Sequence, residues 1–256
     1  MSVHEALAGK SVLVTGANRG IGAAFVEVLI ESGVERVYAC ARDPRSLEEA
    51  MRRHGPRLVP VELDVTDPAQ VARAVHDCPG VDLFISNAGR EGSGRVVGHD
   101  EADARHLFEV HVWGPWRLAD ALAPGIAERA GGMIFVQSIA ALVLSRRGPF
   151  YSASKAAATM MAAAVRESLR GDGVTVTNVF PGFTDTDMMA TEDVPKASPM
   201  QTAEVSVAAW LAGQESVYPD VFAQMVHDRM RADIDSIVDR PAETVTALYR
   251  QYLLGD

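Results

Sequence analysis

Cysteine is nearly missing from this 256-residue chain: Cys40 and Cys78 are the only two, and neither belongs to a CxxC pair. That excludes a disulfide framework and a cysteine-rich metal site, and it points to a reducing cytoplasm. No HExxH is present, so the reading requires no metal. No apolar stretch reaches the roughly 18 residues of a membrane span. The opening MSVHEALAGK lacks the basic region and apolar core of a secretory signal. Basic excess is missing too: the net charge is −10, and residues 183–256 carry 13 Asp and Glu against 5 Lys and Arg. Such a surface repels a phosphate backbone, which argues against nucleic acid as a partner. Lysine occurs three times, at Lys10, Lys155 and Lys196, beside 21 Arg. In a chain so biased, a Lys marks a candidate need for a compact ammonium rather than a planar fork.

What is present is ordinary for a globular protein, with 48% apolar and 23% charged residues. The length fits one sizeable α/β domain over residues 1–256, with no internal repeat or linker. Short apolar runs at residues 11–15, 36–40, 58–63, 82–86, 132–136 and 174–180 read as six strands, and helical patterns separate them. Pro60 removes one ladder donor from the third. Asp67 and Pro68 have the order of an N-cap and a first helical residue. A helical period runs through Leu107, Val110, Leu118, Leu122 and Ile126, with a bend expected at Gly114 and Pro115. Strands alternating with helices imply a doubly wound parallel sheet covered on both faces, a Rossmann-type α/β fold.

Two constellations carry chemistry. Gly16, Gly20 and Gly22 follow the first strand and open a helix, where glycines permit tight turns and a pyrophosphate can lie against the helix N-terminus. Tyr151 and Lys155 lie one helical turn apart, so phenol and ammonium address the same volume. A nearby cation favours the phenolate and is expected to move the tyrosine down from about 10 towards working pH. An isolated YxxxK reads first as a surface pair; its register with the other motifs decides. Thr15-Gly16-x-x-x-Gly20-x-Gly22, Asn87-Ala88-Gly89, Ser138, Tyr151-x-x-x-Lys155 and Pro181-Gly182 occur in the order and approximate spacing of the short-chain dehydrogenase/reductase family. Over residues 10–188 the chain resembles that family.

The resemblance implies that Gly16, Asn18, Arg19, Gly20, Ile21 and Gly22 form the pyrophosphate loop of a nicotinamide dinucleotide. It implies adenine contacts from Asp64 and Val65, and a ribose contact from Asn87, Ala88 and Gly89. Pro181, Gly182, Thr184 and Thr186 would position the nicotinamide carboxamide. Ser138 would bind the substrate oxygen, Tyr151 would exchange the proton, and Lys155 would hold the nicotinamide ribose. Asp64 could also simply cap a turn. An acidic side chain ending the second strand would favour a free ribose, but Ala41 and Arg42 stand there. With Arg19 in the loop, two guanidinium groups could flank a 2′-phosphate, so NADP(H) is expected over NAD(H), with Asp43 dissenting.

The chain departs from the family pattern in two places. The segment His111-Val112-Trp113-Gly114 puts His where the family usually has Asn. His111 either fills the same space, or joins a proton relay, since imidazole titrates near neutral pH, or marks another reaction on the scaffold. The segment 215–256 also diverges, with Met225, Met230, Ile234 and Val238 at helical spacing in place of the usual last strand. The expected activity is NADPH-dependent carbonyl reduction, reversible to alcohol oxidation, on a small and fairly apolar ketone or aldehyde. Substrate selection would come from residues 92–97, 140–150 and 183–200. The rivals are an isomerase, dehydratase or cyclase, and a non-catalytic NADP-binding regulator. A homo-oligomer, dimer or tetramer, is expected, with a dimer seated on the helices at 100–129 and 151–170.

Overall fold

Runs that are apolar at every residue become strands buried on both faces, and side-chain alternation then splits them between two cores. A computed structural model describes residues 3–145, 148–233 and 241–254. Its strands are β1 (Ser11–Thr15), β2 (Arg36–Ala41), β3 (Leu58–Glu62), β4 (Val81–Ser86), β5 (Gly132–Val136), β6 (Thr175–Val179) and β7 (Ser216–Val217). They form one parallel sheet in the order β3-β2-β1-β4-β5-β6-β7. This is the expected doubly wound α/β fold. Pro60 sits in the outermost strand, where a missing donor is tolerated.

The helices are α1 (Val3–Leu7), α2 (Gly20–Glu31), α3 (Glu48–His54), α4 (Pro68–Asp77), α5 (Glu101–Phe108), α6 (Gly114–Glu128), α7 (Pro149–Ser168), α8 (Pro199–Leu211), α9 (Val221–Ala232) and α10 (Pro241–Leu254). On one face of the sheet Val12 and Val14 pack with Phe25 and Leu29 of α2 and Val207 and Trp210 of α8. On the other, Leu13 and Phe84 pack with Leu118 of α6 and Ala162 of α7. Phe84 and Phe135 meet edge to face at 6.0 Å. Burying one side chain of this size stabilises by roughly 1.5–3 kcal/mol. Asp67 caps α4 as expected, accepting from the N–H groups of Ala69 and Gln70, with Pro68 in the first turn.

Two expectations are corrected. The helical stretch from 100 to 129 is not one bent α-helix: a π-helical turn, Glu109–Trp113, separates α5 from α6. Pro115 has no N–H to offer the carbonyl of His111 four residues earlier, so the α-helical pattern cannot run through. Gly114 is required there because a Cβ would lie 2.5 Å from the Val65 carbonyl oxygen. Secondly, the sheet has seven strands rather than six. Asn178 and Val179 of β6 pair with Ser216 and Val217, a run too short to register as a periodic signal.

Beyond β7, Phe222, Ala223 and Val226 of α9 face a third core with Ile139, Val143, Phe180 and Leu248. Met225 and Met230 are half-buried, while Ile234 and Val238 lie outside the described residues. No helix among the described residues is long and apolar enough to cross a membrane.

Candidate functional site

The chain winds from β1 outward to β3, then returns to β4 and proceeds the other way, so a crevice opens beyond the carboxyl ends of β1 and β4. A cavity of about 1110 Å³ lies there. Asn87 lines it and is tied to the buried Thr15 at the end of β1. Thr15 Oγ1 accepts from the backbone N–H groups of Asn87 and Ala88 at 3.0 Å each, and Asn87 Nδ2 donates to the carbonyls of Thr15 (3.0 Å) and Gly16 (3.1 Å). Asn87 and Ala88 thus tie the glycine loop to the end of β4.

Gly16 and Gly20 adopt φ of +64° and +55°, which a side chain rarely allows. Gly22 does not line the cavity; a Cβ on it would lie 2.0 Å from the Gly16 carbonyl oxygen, so it sets loop packing against α2. Arg19, at the N-cap of α2, makes no side-chain cap. The helix therefore presents its first N–H groups as an anion site. Asn18, Arg19, Gly20 and Ile21 all line the cavity, as do Arg42, Asp64, Val65, Asn87, Ala88 and Gly89.

Charges near the ends of β2 and β3 are already partnered in part. Asp43 caps the turn after β2 by accepting from the Arg45 N–H, and both its carboxylate oxygens receive the Arg45 guanidinium at 2.9 Å. Asp64 accepts from Thr66 N–H and Oγ1 through Oδ1, so its turn-capping role is realised while it lines the cavity. Arg19 pairs with Asp187 at 3.1 Å, across from the glycine loop to the turn after Thr186. Both side chains are exposed, 67% and 74%, so the pair is weak. Sequence spacing gives no sign of this link, since 168 residues separate the partners.

At the other end, Ser138 follows β5 in extended conformation and accepts from Ala140 N–H at 3.1 Å. Helix α7 starts at Pro149, which fixes the first turn and puts Tyr151 in it. Ser152 Oγ accepts from Ser145 N–H at 2.8 Å, pinning the preceding loop; Arg146 and Arg147 lie outside the described residues. Lys155 is buried and donates to the Val136 carbonyl at 3.0 Å; its Nζ is 5.9 Å from the centre of the Tyr151 ring. Burial pushes Lys155 down from 10.5 to about 8. Burial pushes the Tyr151 phenol up, the hydrogen bond with Ser138 opposes this, and the Glu91 charge adds to the rise. The expected lowering of Tyr151 is therefore corrected: desolvation dominates, and Lys155 is turned to a carbonyl.

His111, from the π-helical turn, is 3% exposed. Its Nε2 accepts from Arg90 N–H at 3.2 Å and its Nδ1 lies 2.8 Å from Ser154 Oγ. Burial first, then the Lys155 charge, holds the imidazole well below its usual range. Pro181, Gly182, Thr184 and Thr186 line the cavity after β6. Gly182 N–H donates to Asp220 Oδ2 at 2.7 Å, which links this segment to α9. Asp220 went unnoticed in the sequence; its only signal is an acidic residue before the helix. Thr184 Oγ1 is buried without a hydrogen-bond partner among the described residues.

A wall of the cavity also comes from the divergent C-terminus, which sequence reasoning missed. Phe222, Thr246, Tyr249 and Arg250 line it. Phe183 stacks on Phe222 at 4.8 Å and meets Tyr249 edge to face at 5.7 Å. Tyr252 donates to the Pro195 carbonyl at 2.9 Å, holding α10 over the 183–200 loop.

These residues fit a nicotinamide dinucleotide: a glycine cradle that a Cβ would fill, an uncapped helix start, and an orphaned Thr184 hydroxyl at the far end. The profile described as short chain dehydrogenase matches residues 10–196. The Penicillium crustosum protein named short-chain dehydrogenase PC-15 is 32% identical over 213 residues, 80% of this chain and 78% of that one. A short chain dehydrogenase from Burkholderia cenocepacia J2315, solved in complex with NADP, superposes with a TM-score of 0.86 at 35% identity, covering 94% of this chain and 99% of that one. A Streptomyces avermitilis short-chain dehydrogenase gives 0.80 at 26% identity, covering 93% and 97%. Fold, motifs and relatives agree: this chain belongs to the short-chain dehydrogenase/reductase family and is an NAD(P)-dependent oxidoreductase.

Proposed function

We propose that this enzyme reduces the carbonyl of a fairly apolar ketone or aldehyde with NADPH, and in reverse oxidises the alcohol. The observation that carries the reading is the convergence of Ser138, Tyr151 and Lys155 on one end of a cavity whose other end is the glycine loop. The dinucleotide supplies the hydride. Ser138 donates a hydrogen bond to the substrate oxygen and Tyr151 gives it the proton. Lys155, held at about 8 with its Nζ 5.9 Å from the centre of the Tyr151 ring, would keep a positive charge on the side of the proton donor. Gly16, Asn18, Gly20, Ile21, Asp64, Val65 and the Asn87–Gly89 stretch would hold the dinucleotide, with Thr184 and Thr186 at the nicotinamide end.

Preference for NADP(H) is supported by Arg19 and Arg42 on the cavity wall and by Asp43, whose carboxylate is taken up by Arg45. The Burkholderia relative carries NADP. An apolar substrate is supported by Val143, Leu144, Phe183, Met188, Phe222 and Tyr249, which line the same cavity as Tyr151. A homodimer through α6 and α7 is supported by Trp113, Trp116 and Met160, exposed by 48%, 42% and 70%. The test of the reading is the oxidation of NADPH and NADH against a series of ketones. Turnover with NADPH at least about tenfold above that with NADH, rising with apolar bulk, is expected. Product formation without net cofactor consumption would instead favour isomerisation or dehydration.

A further inference from the structure

His111 stands in a chain of three buried or half-buried hydrogen bonds whose direction the donors fix. Arg90 N–H can only donate, so Nε2 of His111 accepts it at 3.2 Å. A neutral imidazole then carries its proton on Nδ1, which donates to Ser154 Oγ at 2.8 Å. The Ser154 hydroxyl in turn donates to the Tyr151 carbonyl at 2.8 Å. The chain runs from the loop after β4, directly beyond Asn87, Ala88 and Gly89, to the first turn of α7. The His111 ring also stands on the Tyr151 ring edge to face, with centres 5.4 Å apart and planes at 86°. Both nitrogens are thereby committed, while Lys155 Nζ donates elsewhere, to Val136.

We propose that His111 is a positioning residue: as a neutral, Nδ1-protonated imidazole it fixes the backbone and ring of Tyr151 relative to the cofactor-side loop, and it neither gains nor gives up a proton during turnover. This rests on the reading of Tyr151 as the proton donor. The groups facing the ring reinforce its neutrality, because Lys155 on α7, Arg90 after β4 and His106 on α5 are all cationic or can become so. Protonating Nε2 would also remove the acceptor of the Arg90 N–H and leave that donor buried without a partner.

The test uses three variants. Ser154→Ala removes the middle link while keeping a good helix former, and His111→Leu removes both links at similar bulk. His111→Gln keeps one acceptor and one donor but cannot titrate. Ser154→Ala and His111→Leu are expected to lower kcat by about 10- to 100-fold, the loss that misplacement by about 1 Å produces, with NADPH affinity by fluorescence unchanged. His111→Gln is expected to restore most of kcat with the wild-type pH–rate profile. Wild-type kcat in Ser154→Ala overturns the proposal, and so does loss of one limb of the pH profile in His111→Gln. The ring itself gives a readout independent of turnover: nitrogen chemical shifts should show the Nδ1-protonated form from about pH 6 to about pH 8. A ring that titrates in that interval overturns the inference. If the wild type reduces no carbonyl, the proposed activity falls, whereas these shifts still decide the state of His111.

Discussion

Among the described residues the buried Lys155 ammonium donates to the Val136 carbonyl, and no carboxylate reaches it. Its displacement from 10.5 to about 8 means that the folded chain holds this proton less tightly than the unfolded chain does. At about 1.4 kcal/mol per pKa unit, keeping Lys155 charged destabilises the fold by roughly 3 kcal/mol. The sign follows from the proton count. Below about 8 both states are protonated and the penalty is fully present; between about 8 and 10.5 only the unfolded state keeps the proton, so stability rises with pH; above that the penalty is gone. Lys155→Met removes the charge while retaining length and apolar contact. The difference in unfolding free energy between wild type and Lys155→Met, from urea titrations at successive pH values, should therefore shift in favour of the wild type by roughly 3 kcal/mol from pH 7 to above pH 10. At neutral pH the variant should be dead in turnover yet no less stable than the wild type. A difference independent of pH over that interval would refute the reasoning, because it would mean that Lys155 titrates normally.

Three further outcomes follow from other residues. Gly22→Ala places a Cβ 2.0 Å from the Gly16 carbonyl oxygen, so the loop must move; NADPH binding by fluorescence titration should weaken by at least about tenfold. Arg42→Asp puts a carboxylate at the end of β2 and should lower the kcat/KM ratio of NADPH to NADH by roughly 10- to 100-fold, measured with one ketone. Trp116→Glu places a charge in the exposed Trp113–Trp116 pair, whose rings meet at 6.2 Å, and should convert a dimer to a monomer in light scattering. A persistent dimer would move the interface elsewhere.

The parts of the fold that could be read from the sequence are those whose signal is local. The strand at Ser11–Thr15, the glycine loop and the Asp67–Pro68 cap each follow from a few adjacent residues, and each is found where expected. Helical spacing brings Tyr151 and Lys155 together, and their register with Gly16, Asn87 and Ser138 makes them legible as a site. What escaped depends on contacts between distant segments. The π-helical turn arises because Pro115 interrupts the pattern while Gly114 presses on Val65, some fifty residues earlier in the chain. Strand β7 exists only because β6 offers it an edge. The wall formed by Tyr249 comes from an aromatic cluster that joins Phe183, Phe222 and Tyr252, and periodicity cannot show which surface a helix covers. The Tyr151 phenol was expected to move down because sequence reveals its neighbouring charge; it moves up because burial, which sequence does not reveal, is larger. His111 could be read as filling space, joining a relay or marking another reaction, and sequence does not reveal that its two nitrogens meet Arg90 and Ser154.

The central claim is that Tyr151 supplies the proton in an NADPH-consuming carbonyl reduction. Its most direct test is to count alcohol formed per NADPH oxidised, over a series of apolar ketones, for the wild type and Tyr151→Phe. One alcohol per NADPH is expected for the wild type, and a fall in kcat of at least about 100-fold in Tyr151→Phe with NADPH binding retained. Wild-type turnover in Tyr151→Phe, or product formed by the wild type with no NADPH oxidised, would contradict it.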